Sequence, residues 1–200
     1  MSNEKPEGRF VLLYGDSITR DTPYIRIKPP DKFTRQCVGG RRLTPETAFD
    51  IIQLVNSCRE GRDVMIVLQL GSNNLGNRNP RFTQTVDEYI TLLKQTIREL
   101  ITLTPVTIIV CTLLPRPDIN DKIREANRKI QKFCASITSA KARILVCNAH
   151  VPFLNPAPCR ETVTVNRELY KPDGIHLKPL GQRLLSQRLS DAMNFEYRSR

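Results

Sequence analysis

Apolar residues in this chain follow two rhythms that take turns. Short unbroken runs at residues 10–14 (FVLLY), 64–70 (VMIVLQL) and 106–114 (VTIIVCTLL) are too short for surface helices and too continuous for strands with one wet face, so they read as buried strands. Residues 142–147 form another strand, and residues 34–38, ending at Gly39 and Gly40, are a less apolar candidate. Between these runs the apolar positions recur every three or four residues. Ala48, Ile51, Ile52 and Val55 do so within 44–58, where Pro45 suits a first turn. Val86, Tyr89, Ile90, Leu93, Ile97, Leu100 and Ile101 do so within 83–103, and Ile119, Ile123, Ile130 and Cys134 within 118–137. Leu180, Leu184, Leu185 and Leu189 give the last helix, 179–193, its inner side.

Strands that alternate with helices of this length predict a three-layer α/β/α domain around a mainly parallel, five-stranded sheet, because parallel neighbours need crossover connections. The length of 200 residues suits one domain. The expected division is a tail at 1–8, a single domain at 9–194 and a basic tail at 195–200. In such sheets ligands bind beyond the carboxyl ends of the strands. The residues just after each strand are therefore the candidates for chemistry: Ser17, Gly39, Gly40, Asn73, Asn74, Leu114 and the stretch from Asn148 to His150.

Composition narrows the class. Hydrophobic residues make up 40% of the chain and charged residues 26%, and no apolar stretch approaches the roughly 20 residues of a membrane-spanning helix. The opening MSNEKPEGRF has no secretory signal pattern, so the expected location is the cytoplasm, as a free protein or as part of a longer polypeptide. Six cysteines (Cys37, Cys58, Cys111, Cys134, Cys147 and Cys159) include no CxxC pair and read as reduced thiols. They show no ligand spacing with His150 or His176, so no zinc site is expected, and the motif chemistry described next requires neither a metal nor an organic cofactor.

The net charge of +11 favours anionic partners. Basic residues are spread over Arg35, Arg41 and Arg42, then Lys122, Arg124, Arg128, Lys129 and Lys132, then Arg183, Arg188, Arg198 and Arg200. That spread fits solvated helix faces as well as a surface for RNA or anionic lipid. Nothing in the sequence addresses oligomeric state.

Four motifs fall in order along the strand ends: GDSIT at 15–19, Gly40, GSNN at 71–74 and DGIH at 173–176. Each alone has an ordinary explanation. Ser17 or Asp16 could cap a helix, Asn73 and Asn74 could serve a turn, and Asp173 with Gly174 is a turn signal. Together, from about residue 10 to 189, they resemble the four blocks of the SGNH hydrolases, also called the GDSL esterase and lipase superfamily. The resemblance implies a flavodoxin-like fold and a serine esterase. Ser17 would be the nucleophile, His176 the base and Asp173 the carboxylate that orients it. The Ser17 and Gly40 amides and the Asn73 side chain would form the oxyanion hole.

His150, near the same edge, is the rival base, and has no carboxylate close in sequence. Asp16, Arg41, Asn74 and His150 are expected around the pocket. Arg41 stands where the family often has aspartate, and Asn74 replaces the acid of the usual GxND block. That GxNN form resembles the platelet-activating-factor acetylhydrolase branch. The short stretch at 21–32 leaves no room for a large lid, which predicts an open cleft and short acyl groups.

Two other readings stay beside the short-chain esterase: a basic module binding nucleic acid or anionic lipid with little turnover, and a carbohydrate acetylesterase. The charge and the missing signal also resemble the esterase domain of LINE-type retrotransposon open-reading-frame proteins. That likeness implies association with a nucleoprotein particle or a membrane.

Overall fold

The computed structural model describes residues 7–23, 25–76, 80–103, 105–155 and 164–195. Most of the two expected tails, together with Cys159, lies outside the described residues. Among the described residues five strands, β1 (Arg9–Gly15), β2 (Lys32–Cys37), β3 (Asp63–Gln69), β4 (Val106–Cys111) and β5 (Ala142–Cys147), form one sheet in the order β2-β1-β3-β4-β5. All four neighbouring pairs are parallel. The order reverses between β1 and β3, which is the flavodoxin-like arrangement with its crevice at that switch point.

Among the described residues six α-helices flank the sheet: α1 (Ser17–Arg20), α2 (Thr47–Cys58), α3 (Ser72–Leu75), α4 (Val86–Leu100), α5 (Asn120–Ser136) and α6 (Pro179–Asn194). Alternation along each strand sorts the core into two halves. Phe10, Leu12, Val64, Ile66, Ile108 and Val110 face α2, α4 and α5 through Ile51, Val55, Ile90, Leu93, Ile97 and Ile130. Val11, Leu13, Met65, Val67 and Ile109 face α6 through Leu185, Leu189 and Met193. Both halves are dry, which explains why the strands read as continuous apolar runs.

Several boundaries differ from the sequence expectation, each for a local reason. The α4 helix starts at Val86 rather than 83 because Thr85 and Glu88 close a capping box, with Glu88 Oε2 accepting from the Thr85 amide at 2.7 Å. β4 ends at Cys111 rather than 114, since Leu113 turns its backbone to Asn127 of α5. Asn127 accepts from the Leu113 amide at 2.7 Å and donates to its carbonyl at 2.9 Å.

Leu180 is not on the inner side of α6, being 52% exposed. The buried stripe runs through Gly181, Leu185, Leu189 and Met193, one position further round. Gly181 lies so close to the Leu169 carbonyl that a Cβ there would sit 2.6 Å from its oxygen.

The segment between α1 and β2 lies against α6. Ile25 and Ile27 pack on the second core half, the Arg26 amide donates to Ser190 Oγ at 2.9 Å, and Asn194 donates to the Arg26 carbonyl at 2.8 Å. With its backbone tied to α6, this segment is braced as part of the domain wall.

Candidate active site

The carboxyl ends of β1 and β3 flank the switch point, and both run straight into a single helical turn. After β1, Asp16 is the cap residue of α1, its Oδ1 accepting from the Ile18 amide at 2.9 Å. The capping question raised by Gly15, Asp16 and Ser17 is thereby divided: Asp16 holds the turn, and Ser17 stands at its first position, half-buried. Among the described residues the Ser17 hydroxyl makes no hydrogen bond, to His176 or to any other group.

After β3, the chain enters α3 at Gly71, whose φ of 132° lies in glycine territory and whose Cα faces the Tyr89 ring too closely for a Cβ. The two asparagines that follow have different fates. Asn73 is half-buried and donates one amide hydrogen to the Arg41 carbonyl at 3.0 Å, next to Gly40. An amide carries two N–H donors, so one remains for another acceptor. Gly40 is exposed, with φ of 72°, and nothing lies within 4 Å of where a Cβ would be.

Asn74 is completely buried. It accepts from the Leu43 amide at 2.9 Å and donates to the Leu43 carbonyl at 2.8 Å and to Gln84 at 2.7 Å. Its amide is thus fully engaged in the interior. It braces the loop after β2, as Asn127 braces the chain after β4.

The loop before α6 brings the remaining pair. His176 Nδ1 lies 2.7 Å from Asp173 Oδ2, and Asp173 Oδ1 accepts from the Ile175 and His176 amides, each at 2.9 Å. Burial alone would raise the Asp173 carboxyl, but these hydrogen bonds outweigh it and hold the carboxyl down at about 2. Both side chains remain about a third exposed, at 36% for His176 and 37% for Asp173.

The loops meet electrostatically at Asp16. Burial pushes this carboxyl up to about 6, against the Ile18 amide and the charges of His176 and Arg116. His176 also acts on Asp21 at the end of α1. The histidine of the last block thus lies near the turn that carries Ser17.

Arg116 is a residue the sequence reading did not single out. It is 3% exposed, pairs with Asp118 at 2.7 Å, and donates to the carbonyls of Ser72 at 3.1 Å and Gly76 at 3.0 Å. It clamps both ends of α3, and so the position of Asn73, to the chain after β4. Its one signal in the sequence was its place between two prolines just beyond a strand.

Two other residues expected around the pocket have partners of their own. The Arg41 guanidinium lies over the Tyr14 ring, 4.2 Å from its centroid, and donates to the Gln36 carbonyl. His150 Nδ1 is 2.8 Å from Thr112 Oγ1, and the His150 amide donates to the same oxygen at 3.2 Å. Burial pulls the His150 ring below the ordinary histidine range. Among the described residues, no three His, Cys, Asp or Glu side chains gather as a metal site.

The model of the GDSL-like lipase/acylhydrolase family matches residues 29–189, which is most of the chain. The chain belongs to that family and is a hydrolase acting on ester bonds. The matched stretch contains Gly40, Asn73, Asp173 and His176, and begins after Ser17.

Solved structures show the same fold. A carbohydrate esterase family 3 protein from Talaromyces cellulolyticus superimposes with a TM-score of 0.67 at 14% identity, over 96% of this chain and 99% of that one. Axe2, an acetylxylan esterase from Geobacillus stearothermophilus, gives 0.67 at 16% identity, over 96% and 97%. A lipolytic protein of the G-D-S-L family from Veillonella parvula gives 0.64 at 16% identity, over 96% and 100%. No curated protein matches the sequence. Among the described residues no helix is long and apolar enough to cross a membrane.

Proposed function

We propose that this hydrolase is a serine esterase of short acyl and acetyl esters. The observation that carries the reading is the Asp173 to His176 contact of 2.7 Å, held at the strand edge where the charge of His176 reaches the turn of Ser17. With Nδ1 engaged by the carboxylate, the Nε2 of His176 is left to act as a base. It takes the Ser17 proton as Oγ attacks the ester carbonyl. The negative charge that develops on the carbonyl oxygen is met by the amides of Ser17 and Gly40 and by the second N–H of Asn73. As the tetrahedral intermediate collapses, His176 returns the proton to the leaving alcohol. Water, activated by the same base, then frees the acyl group and restores Ser17.

The short acyl group is supported by the segment at 21–32, whose backbone is tied to α6 at Arg26 rather than standing out as a lid. The acetyl end of the range is also supported by likeness in fold to an acetylxylan esterase and a carbohydrate esterase. The test is hydrolysis of 4-nitrophenyl esters from acetate to palmitate by the pure protein and by Ser17→Ala. Acetate and butyrate should be cut fastest, and Ser17→Ala should lower kcat by on the order of 10⁶-fold. Undiminished activity in the variant removes Ser17 from its role, and a preference for palmitate removes the short-chain claim.

A further inference from the structure

Beside the Asp173 turn lies a cavity of about 430 Å³, walled by Pro117 and Asp118 after β4 and by Arg167, Tyr170, Lys171, Asp173, Gly174 and Lys178 before and at the start of α6. Its charges are unevenly matched. Asp118 is neutralised by Arg116, and Asp173 is engaged by His176. The side chains of Arg167, Lys171 and Lys178 make no hydrogen bond or ion pair among the described residues, and all three residues are exposed. Three unpaired cations against one carboxylate leave the wall positive even when His176 is neutral.

The fold fixes the backbone beneath two of these cations. The Lys171 amide donates to the His176 carbonyl at 2.8 Å, the Lys178 amide to the Leu169 carbonyl at 2.9 Å, and the Gly174 amide to the Lys171 carbonyl at 2.9 Å. The turn that presents His176 is therefore the same turn that presents Lys171 and Lys178. The charge of Lys171 also reaches Asp21, at the end of the helix that Ser17 begins.

We infer that this cavity binds an anionic group, a carboxylate or a phosphate, carried by the alcohol portion of the ester substrate. The inference rests on the esterase reading above for the side of the substrate it assigns. His176 hands its proton to the leaving alcohol, so the alcohol is the part nearest the Asp173 turn and its adjoining cavity. Cations that line a concave site focus their field into it and raise the local concentration of an anion. The substrate class is then acyl esters of acidic alcohols, such as hydroxyacids and phosphorylated alcohols.

Two measurements separate this claim from the esterase reading. In the first, calorimetry follows binding of 4-hydroxybenzoate and of inorganic phosphate to Ser17→Ala, with and without Arg167→Gln, Lys171→Gln and Lys178→Gln together. Binding that weakens as salt rises and is lost with the three cations upholds the cavity even if no ester is cut, and the anion that binds identifies the group. In the second, kcat/KM is compared for 4-acetoxybenzoate and its neutral methyl ester. The protein should prefer the anionic ester by about tenfold or more, and the triple variant should lose that preference. Lys171→Gln alone should lose part of it, which keeps the test available if the triple variant folds poorly. Hydrolysis of both esters without preference, with neither anion bound, overturns the cavity's role and leaves the esterase standing.

Discussion

Two histidines lie at the same edge of the same sheet, and their surroundings differ in one decisive respect. His176 meets a carboxylate at 2.7 Å on a turn that is a third exposed. His150 meets a threonine hydroxyl at 2.8 Å in a place buried enough to pull its ring below the ordinary range. A carboxylate orients the ring and stabilises the imidazolium that a general base becomes, whereas a hydroxyl orients it without a compensating charge. In the proposed mechanism, place at the edge is therefore not enough to make a base, and the partner on the far nitrogen decides.

The sharpest way to break this comparison is to remove each ring in turn. His176→Ala should lower kcat for 4-nitrophenyl acetate by on the order of 10⁶-fold, as loss of a triad base does elsewhere. His150→Ala should change it only a few-fold, with its cost read mainly in the melting temperature. Comparable losses from both would put the two histidines in one network.

A smaller contrast separates neighbours in sequence. Asn73→Ala should cost about 10²- to 10³-fold in kcat, the usual consequence of losing one oxyanion donor, with stability little changed. Asn74→Ala should leave the Leu43 amide and carbonyl unpaired in the interior and cost about 2–4 kcal/mol of stability in denaturant unfolding, while the folded fraction keeps its kcat. A catalytic loss from Asn74→Ala with unchanged stability would reverse the two roles.

The last expected effect concerns the acids Asp16 and Asp173. The Asp16 carboxyl, pushed up to about 6 by burial, favours its protonated form in the folded state. An unfolded aspartate titrates near 3.9, so the folded chain holds the extra proton between about pH 4 and 6. Stability from this group is present below that window and is lost as pH rises through it. Asp16→Asn, which keeps an oxygen for the Ile18 amide, should match the parent near pH 4 and exceed it by about 3 kcal/mol above pH 7. Asp173, held low, acts in the opposite sense but is the same in both proteins and cancels from the difference. Equal stability at both pH values would show that Asp16 carries no buried charge.

Much of this was legible in the chain because burial leaves a periodic trace. The dry strands 10–14 and 64–70 and the stripe of α4 follow directly from one sheet covered on both faces. The local meeting of Asp173 and His176 was also legible, since both lie on one turn. What lay beyond reach were pairings set by tertiary structure alone. Asn74 turning inward to Leu43, Asn127 serving Leu113 and Arg116 clamping α3 each join residues at least 14 positions apart or on separate elements. Leu180 and Leu185 look equally apolar, and only the tight seat of Gly181 decides which one faces the core. The resemblance to a retrotransposon esterase rests on charge and general motif style, and it has no counterpart in the family match or in the structures named above.

The central claim is that Ser17 is a nucleophile activated by His176. Reaction with diisopropyl fluorophosphate, followed by peptide mapping in the mass spectrometer, addresses it directly. One adduct is expected, on Ser17, retained in His150→Ala and lost in His176→Ala. An adduct on another serine, or labelling of Ser17 that survives His176→Ala undiminished, would contradict it.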